Sequence, residues 1–292
     1  MVTTGLSVVE AARETLAARE RGATVVVALV LDGPCAGARR LRIRERSGEG
    51  GPRNHSVGAL GHPHLEGLVD GLLHDALDGE PLSARSSEAG TRTVVLPGTT
   101  TEVPVYLERT RPPSGLLIVG AGHIAEPLHL QGALLGFRVT VADDRPDFAD
   151  PARFPRAHRV VRIDFTDPFD QIERADRSHV ILVTRGHRYD YECLRRLVVE
   201  DPLPEYIGMI GSRRRVRATF HQLLEEGVPR AALERIRAPV GLDLGAETPG
   251  EIAVAVAAEW VAIARGGSGR PMVEVERVAE RFFPDEADDA RK

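Results

Sequence analysis

The apolar positions of this chain fall into two textures. Over residues 6–21 they recur at helical spacing (Leu6, Val9, Ala12, Leu16) and stop at Gly22, a residue suited to the position just past a helix end. A β-branched run over 23–31 follows and reads as a buried strand, and the turn Asp32-Gly33-Pro34 leads to a second strand near 41–43. Residues 46–54 (RSGEGGPRN) read as a loop, and 64–77 as an amphipathic helix with Leu65, Leu68, Leu72, Leu73 and Leu77 on one face. Strands over 91–96 and 102–108 bring the chain to Arg111-Pro112-Pro113-Ser114, the expected linker. Residues 1–112 are thus expected to form a smaller α+β domain.

From Gly115 onward short apolar runs alternate with helical segments. Strands are predicted over 116–119, 138–142, 158–163, 180–184 and 206–210, and helices over 123–135, 168–175 and 189–199. Such alternation implies parallel strands joined by right-handed crossovers, so residues 113–272 are expected to be an α/β, Rossmann-like doubly wound sheet. A strongly marked helix is predicted from Pro249 to 264, with Thr248 as cap, Pro249 in the first helical position and Glu251 closing a capping box. Its apolar, Ala-rich surface should lie buried against the sheet or at a contact between copies, which is compatible with a homodimer. Gly266-Gly267-Ser268-Gly269 reads as a linker, and residues 273–292, with Asp285, Glu286, Asp288 and Asp289, as an acidic mobile tail.

Composition narrows the function. Apolar residues make up 42% and charged residues 28% of the 292, as in globular proteins. No apolar run approaches the ~18 residues of a membrane helix, and Glu10 and Glu14 break any signal-peptide pattern, so a cytoplasmic protein is expected. The net charge of −5 argues against a general nucleic-acid binder, which needs a basic surplus. Two cysteines, Cys35 and Cys193, are too few for a disulfide framework or a four-thiolate zinc site, and His62-Pro63-His64 lacks further ligands at useful spacing. No metal site is expected. Lys292 is the only lysine, which nearly excludes a lysine nucleophile or Schiff base.

Three turns carry the candidate chemistry. In Gly120-Ala121-Gly122-His123, Gly120 permits the tight turn, Gly122 lets the backbone approach a diphosphate, and Ala125 takes the place of the third small residue. The helix N-terminus that follows favours an anion, and His123 stands beside it. Asp143 and Asp144 come some 20 residues later, where an acid accepts from ribose hydroxyls. Gly211-Ser212-Arg213-Arg214 ends another strand, and cations at a helix start oppose its dipole unless an anion sits between them. Gly186 and His187, in Thr184-Arg185-Gly186-His187, follow a third strand, and His187 is an acid–base candidate. All three lie where doubly wound folds gather ligands. Helix–strand packing and solvated turns account for the same residues, and both readings stay open. So do two for Glu259, a functional buried carboxylate or an edge position reaching solvent.

Five motifs together carry a resemblance: LIVGAGHIAEP at 117–127, Asp143-Asp144-Arg145-Pro146 with Arg153-Phe154-Pro155, Thr184-Arg185-Gly186-His187 with Tyr189-Asp190, YIGMIGSRRRVR at 206–217, and GLDLGAETPGEI at 241–252. The chain resembles the XdhC/CoxI family of accessory proteins for molybdenum hydroxylases such as xanthine dehydrogenase and carbon monoxide dehydrogenase. The resemblance implies a Rossmann-like domain that binds the molybdenum cofactor (molybdopterin), protects it during sulfuration by a cysteine desulfurase and delivers it to the apo-hydroxylase. The strand-end turns supply the expected cofactor-binding residues: Gly120, Gly122, His123, Asp143, Asp144, Gly186, His187, Gly211, Ser212, Arg213 and Arg214, with no catalytic residue. The N-terminal half departs from the family: Asp32-Gly33-Pro34-Cys35-Ala36-Gly37-Ala38 stands where relatives carry Ser-Pro-Arg-Pro-x-Gly-Ala, and the turn from Val57 to Glu66 lacks the cysteine often found there. The glycine loop equally permits an NAD(P)-dependent oxidoreductase or a nucleotide-sensing regulatory module.

Overall fold

The computed structural model describes residues 5–45, 53–79 and 88–276. The chain divides into two compact units, Met1–Pro113 and Ser114–Lys292. No helix among the described residues is long and apolar enough to cross a membrane.

In the first unit the order is α1 (Val8–Glu20), β1 (Thr24–Val30), β2 (Arg39–Arg44), β3 (Asn54–Val57), α2 (Pro63–Leu77), β4 (Ala89–Val95) and β5 (Glu102–Thr110). The strands form one antiparallel sheet in the order β3-β2-β1-β5-β4. Strand alternation sends Val26, Ala28 and Val30 of β1 toward Leu65, Val69 and Leu73 of α2. Val25 instead packs with Ala11 and Ala18 of α1 and with Leu41 and Ile43 of β2. Both faces of β1 are therefore buried, which is why its sequence reads as an unbroken apolar run. Ser7 and Glu10 close a capping box at α1, and Glu66 accepts from the Leu60 and Gly61 N–H groups at 2.7 and 3.1 Å, fixing the turn before α2. β3 is a correction: Asn54 begins a strand rather than ending a loop, and the loop expected over 46–54 lies outside the described residues from 46 to 52.

The second unit runs β6 (Gly115–Val119), α3 (Ala125–Leu134), β7 (Arg138–Asp143), β8 (Arg159–Arg162), β9 (His179–Leu182), α4 (His187–Leu197), β10 (Tyr206–Met209), α5 (Arg213–Glu225), α6 (Arg230–Leu233), β11 (Ile236–Arg237), α7 (Pro249–Arg265) and α8 (Met272–Glu276). Its six strands are parallel in the order β11-β10-β9-β6-β7-β8, the doubly wound arrangement expected from the alternation. The strand order reverses between β6 and β9. One face buries Leu117, Val119, Val180 and Leu182 with Cys193, Leu194 and Leu197 of α4 and Leu223 of α5. The other buries Leu116, Ile118 and Ile181 with Leu128 of α3 and Ala253, Val256 and Trp260 of α7. Gly132 of α3 lies so close to β6 that a Cβ would stand 2.5 Å from the Leu116 side chain.

Two differences from the expected elements have local causes. The helix expected over 168–175 is absent; turns occupy that stretch, followed by a short 3-10 helix at Arg174–Arg177. Phe169 and Ile172 enter the core from these turns, with the Ile172 N–H donating to the Phe169 carbonyl at 3.0 Å. α7 is buried on one side only: Val254, Val261 and Ile263 are exposed. Of the expected acidic tail, residues 277–292 lie outside the described residues.

Candidate functional site

The carboxyl ends of β10, β9 and β6 are neighbours in the sheet, so the turns after Met209, Leu182 and Val119 open on one edge. In the turn after β6, Gly120 adopts φ +105°, and a Cβ there would stand 2.6 Å from the Val183 carbonyl oxygen. Only glycine fits. Its N–H donates to the Ala142 carbonyl at 2.7 Å, tying the loop to β7. At Gly122, by contrast, a Cβ would meet nothing within 4 Å. That open space lies before the first turn of α3, where the Ile124 cap residue brings no side-chain hydrogen bond. His123 is exposed in the turn ahead of the helix, not on its first turn as the sequence suggested.

Asp143 takes a role that the sequence did not suggest. Its side chain is buried, the residue being 1% exposed. Oδ2 accepts from the Ala121 N–H at 2.7 Å and Arg145 Nη2 at 2.9 Å, while Oδ1 accepts from the Arg145 backbone N–H at 3.0 Å and Nε at 2.9 Å. Burial alone would raise this carboxyl; the Arg145 guanidinium and the two backbone N–H groups outweigh it and bring the pKa to about 2, from an ordinary 3.8. Four donors fill the carboxylate's lone pairs, so Asp143 cannot accept from a ribose as expected. It shapes the glycine loop from beneath.

Asp144 is also engaged. It forms a two-pronged ion pair with Arg185, at 2.5 and 2.7 Å. Asp144 follows β7 and Arg185 follows β9, so the pair joins the strands on either side of β6. Arg185 also lies 4.0 Å over the Tyr189 ring and donates to its hydroxyl at 2.6 Å.

A second buried carboxylate organises the turns after β9 and β10. Asp190, fully buried on α4, accepts from the Thr184 hydroxyl at 2.7 Å and from Arg215 Nε at 2.6 Å. Arg215 Nη2 also donates to the Thr184 carbonyl at 2.9 Å. Burial raises the Asp190 carboxyl above its ordinary value, against the opposing pull of Thr184 and Arg215. Of the three arginines in series, the third therefore belongs to the protein interior. Arg213 and Arg214 are exposed, and among the described residues their guanidinium groups have no hydrogen bond or ion pair. Ser212 caps α5, accepting from the Arg215 N–H at 3.3 Å, and Gly211 precedes it. Gly186 caps α4 in extended conformation without a side-chain bond, and His187 is exposed in its first turn.

The remaining motif residues brace these turns. Arg153 pairs with Glu126 of α3, and its neighbour Phe154 is buried with its ring 5.1 Å from His129. Glu259 is buried, 8% exposed, and accepts from the Gly241 N–H with Arg237 Nε 3.8 Å away; it is a structural carboxylate, not an edge position. Gly241 itself adopts φ +102° against Ala255 of α7. Cys193 is fully buried, which raises its thiol well above the ordinary range. Among the described residues no group of three or more His, Cys, Asp or Glu is placed to hold a metal ion. The braces Arg145, Asp190 and Arg215 escaped the sequence reading. One signal was present: Asp190 shares the apolar stripe of α4 with Cys193, Leu194 and Leu197, where a carboxylate needs a partner.

Two measurements check these assignments. Because the folded pKa of Asp143 is depressed, its stabilisation is fully present above about pH 4 and is lost as pH falls through about 2. Asp143→Asn should flatten the acid limb of the stability profile, removing roughly 2 kcal/mol of pH dependence in urea unfolding between those pH values. In the arginine series, Arg215→Ala should lower stability by about 3 kcal/mol, since it strands a buried carboxylate. Arg213→Ala and Arg214→Ala should stay within about 0.5 kcal/mol of the parent.

Residues 116–260 match the family described as the XdhC Rossmann domain. The uncharacterized protein YqeB of Escherichia coli (strain K12) is 33% identical over 160 residues, covering 54% of this chain and 29% of that protein. A probable xanthine dehydrogenase subunit from Bacillus subtilis (strain 168) is 29% identical over 157 residues, covering 54% of this chain and 45% of that protein. The matches thus span less than half the length of either curated relative. A solved structure, a xanthine dehydrogenase from Bacillus halodurans, is similar at 21% identity and a TM-score of 0.47, over 92% of this chain and 98% of that one. The matched domain holds the glycine loop, both carboxylate braces and the arginine series, and through it this chain belongs to the XdhC family.

Proposed function

We propose that this protein serves the maturation of a xanthine dehydrogenase-type molybdenum hydroxylase by binding the molybdenum cofactor as cargo. The observation that carries this reading is the open space over Gly122, next to an α3 N-terminus without a side-chain cap. An anionic group placed there meets unsatisfied backbone N–H groups and the positive end of a helix dipole. Arg213 and Arg214, unpaired among the described residues and two strand ends away after β10, supply cations that the fold does not use. The pterin's phosphate suits this set, because guanidinium groups hold phosphate with two parallel bonds. Gly186 and His187 stand on the strand end between the two. The relative described as a probable xanthine dehydrogenase subunit points to the partner.

The protein's part is to hold and release. The Asp143 and Asp190 braces fix the turns before any ligand arrives, so binding spends little on ordering them. The apo-hydroxylase then receives the cofactor, and a cysteine desulfurase supplies sulfur while the cofactor is bound. Val254 and Val261, two turns apart on one face of α7, offer an apolar surface for a second copy of the chain.

Co-expression with the cofactor pathway should give protein carrying stoichiometric pterin, read by fluorescence after oxidation. Gly122→Ala should retain full stability, because its Cβ enters empty space, yet lose at least about tenfold in pterin affinity, because that space is the phosphate's. Protein that carries neither pterin nor molybdenum under these conditions would refute the reading.

A further inference from the structure

A second cavity lies further along the same sheet edge, beyond the carboxyl ends of β7 and β8. It holds about 550 Å³ and is lined by residues that follow those strands and by the first turns of α4. Phe165 and Tyr189 form its aromatic wall, their ring centroids 4.5 Å apart. Of its lining residues, only Asp144 is shared with the expected cofactor-binding set.

The ionic groups of this cleft are unequally engaged. Each of its carboxylates has a partner: Asp144 holds Arg185 through two bonds, Glu192 holds Arg195 through Oε2 at 2.9 Å, and Asp164 accepts from the Thr166 N–H through Oδ1 at 2.8 Å. Its cations are less engaged. Arg188 is exposed, with no hydrogen bond or ion pair among the described residues. Arg162 reaches only the Asp144 carbonyl, through Nε at 3.4 Å, which leaves the other guanidinium nitrogens open. The acid that accepts from a ribose diol at the end of the second strand is engaged in advance: Asp143 is filled by four donors, and Asp144 holds Arg185 through both oxygens. In doubly wound sheets an arginine near this strand end instead accommodates a phosphate on the ribose.

We propose that this cleft binds a nucleotide whose ribose carries a phosphomonoester. Arg162 and Arg188 take that phosphate, and the base lies along Tyr189 and Phe165. A nucleotide with an unmodified diol leaves the two guanidinium groups without an anionic partner. The inference goes beyond the carrier reading and stands whatever cargo the glycine loop holds.

The test is titration calorimetry on the full chain with three probes: adenosine 2′,5′-bisphosphate, adenosine 5′-monophosphate and inorganic phosphate. The bisphosphate should bind at least about tenfold more tightly than either of the others. The double variant Arg162→Gln/Arg188→Gln, at two exposed positions, should bring the bisphosphate down to the level of the monophosphate while its circular dichroism and unfolding midpoint stay unchanged. It should leave pterin binding at Gly122 intact, which separates this proposal from the carrier reading. Equal affinity for the two nucleotides, inorganic phosphate binding as tightly as the bisphosphate, or a double variant that still prefers the bisphosphate would each overturn it.

Discussion

A carboxylate sealed from water must have its lone pairs filled, and Asp143 meets that demand by drawing the Ala121 N–H and the Arg145 side chain onto itself. The consequence is a glycine loop of fixed shape. Gly120 has to take positive φ so that Ala121 can reach down to the carboxylate, and the chain then leaves Gly122 facing open space. The emptiness over Gly122 is thus held in place by a charge from below. Asp190 does the same for the turns after β9 and β10, with Thr184 and Arg215 as its partners.

These two braces decide which polar groups remain for a ligand. Asp143, Asp190, Thr184 and Arg215 are consumed internally, while Arg213, Arg214 and Arg188 keep open guanidinium groups. The edge of the sheet therefore offers open cations and backbone N–H groups, which favours phosphorylated ligands. The Asp144–Arg185 pair belongs to the same logic. It links the strand ends on either side of β6.

Much of the second unit was legible in the sequence because parallel strands buried on both faces appear as short apolar runs between helices. The glycine loop and the capping box at Thr248 could be read for a similar reason: each is a local device whose partners lie within a few residues. The braces were not legible. Asp143 looked like a ribose ligand because its position after β7 suits one, and only the fold shows that its oxygens are already taken. Three consecutive arginines looked equivalent, yet helical geometry turns the third toward a carboxylate 25 residues away. The helix expected over 168–175 is replaced by turns from which Phe169 and Ile172 still reach the core. β3 was hidden in a polar segment, as edge strands often are.

The account requires that the strand-end turns answer one ligand together. Hydrogen–deuterium exchange measures this directly, with and without molybdopterin, on peptides covering residues 120–125, 184–188 and 211–215. Protection rising in all three at the same ligand concentration is the expected result. Protection confined to one turn, or absent from the segment 120–125, would contradict a shared site.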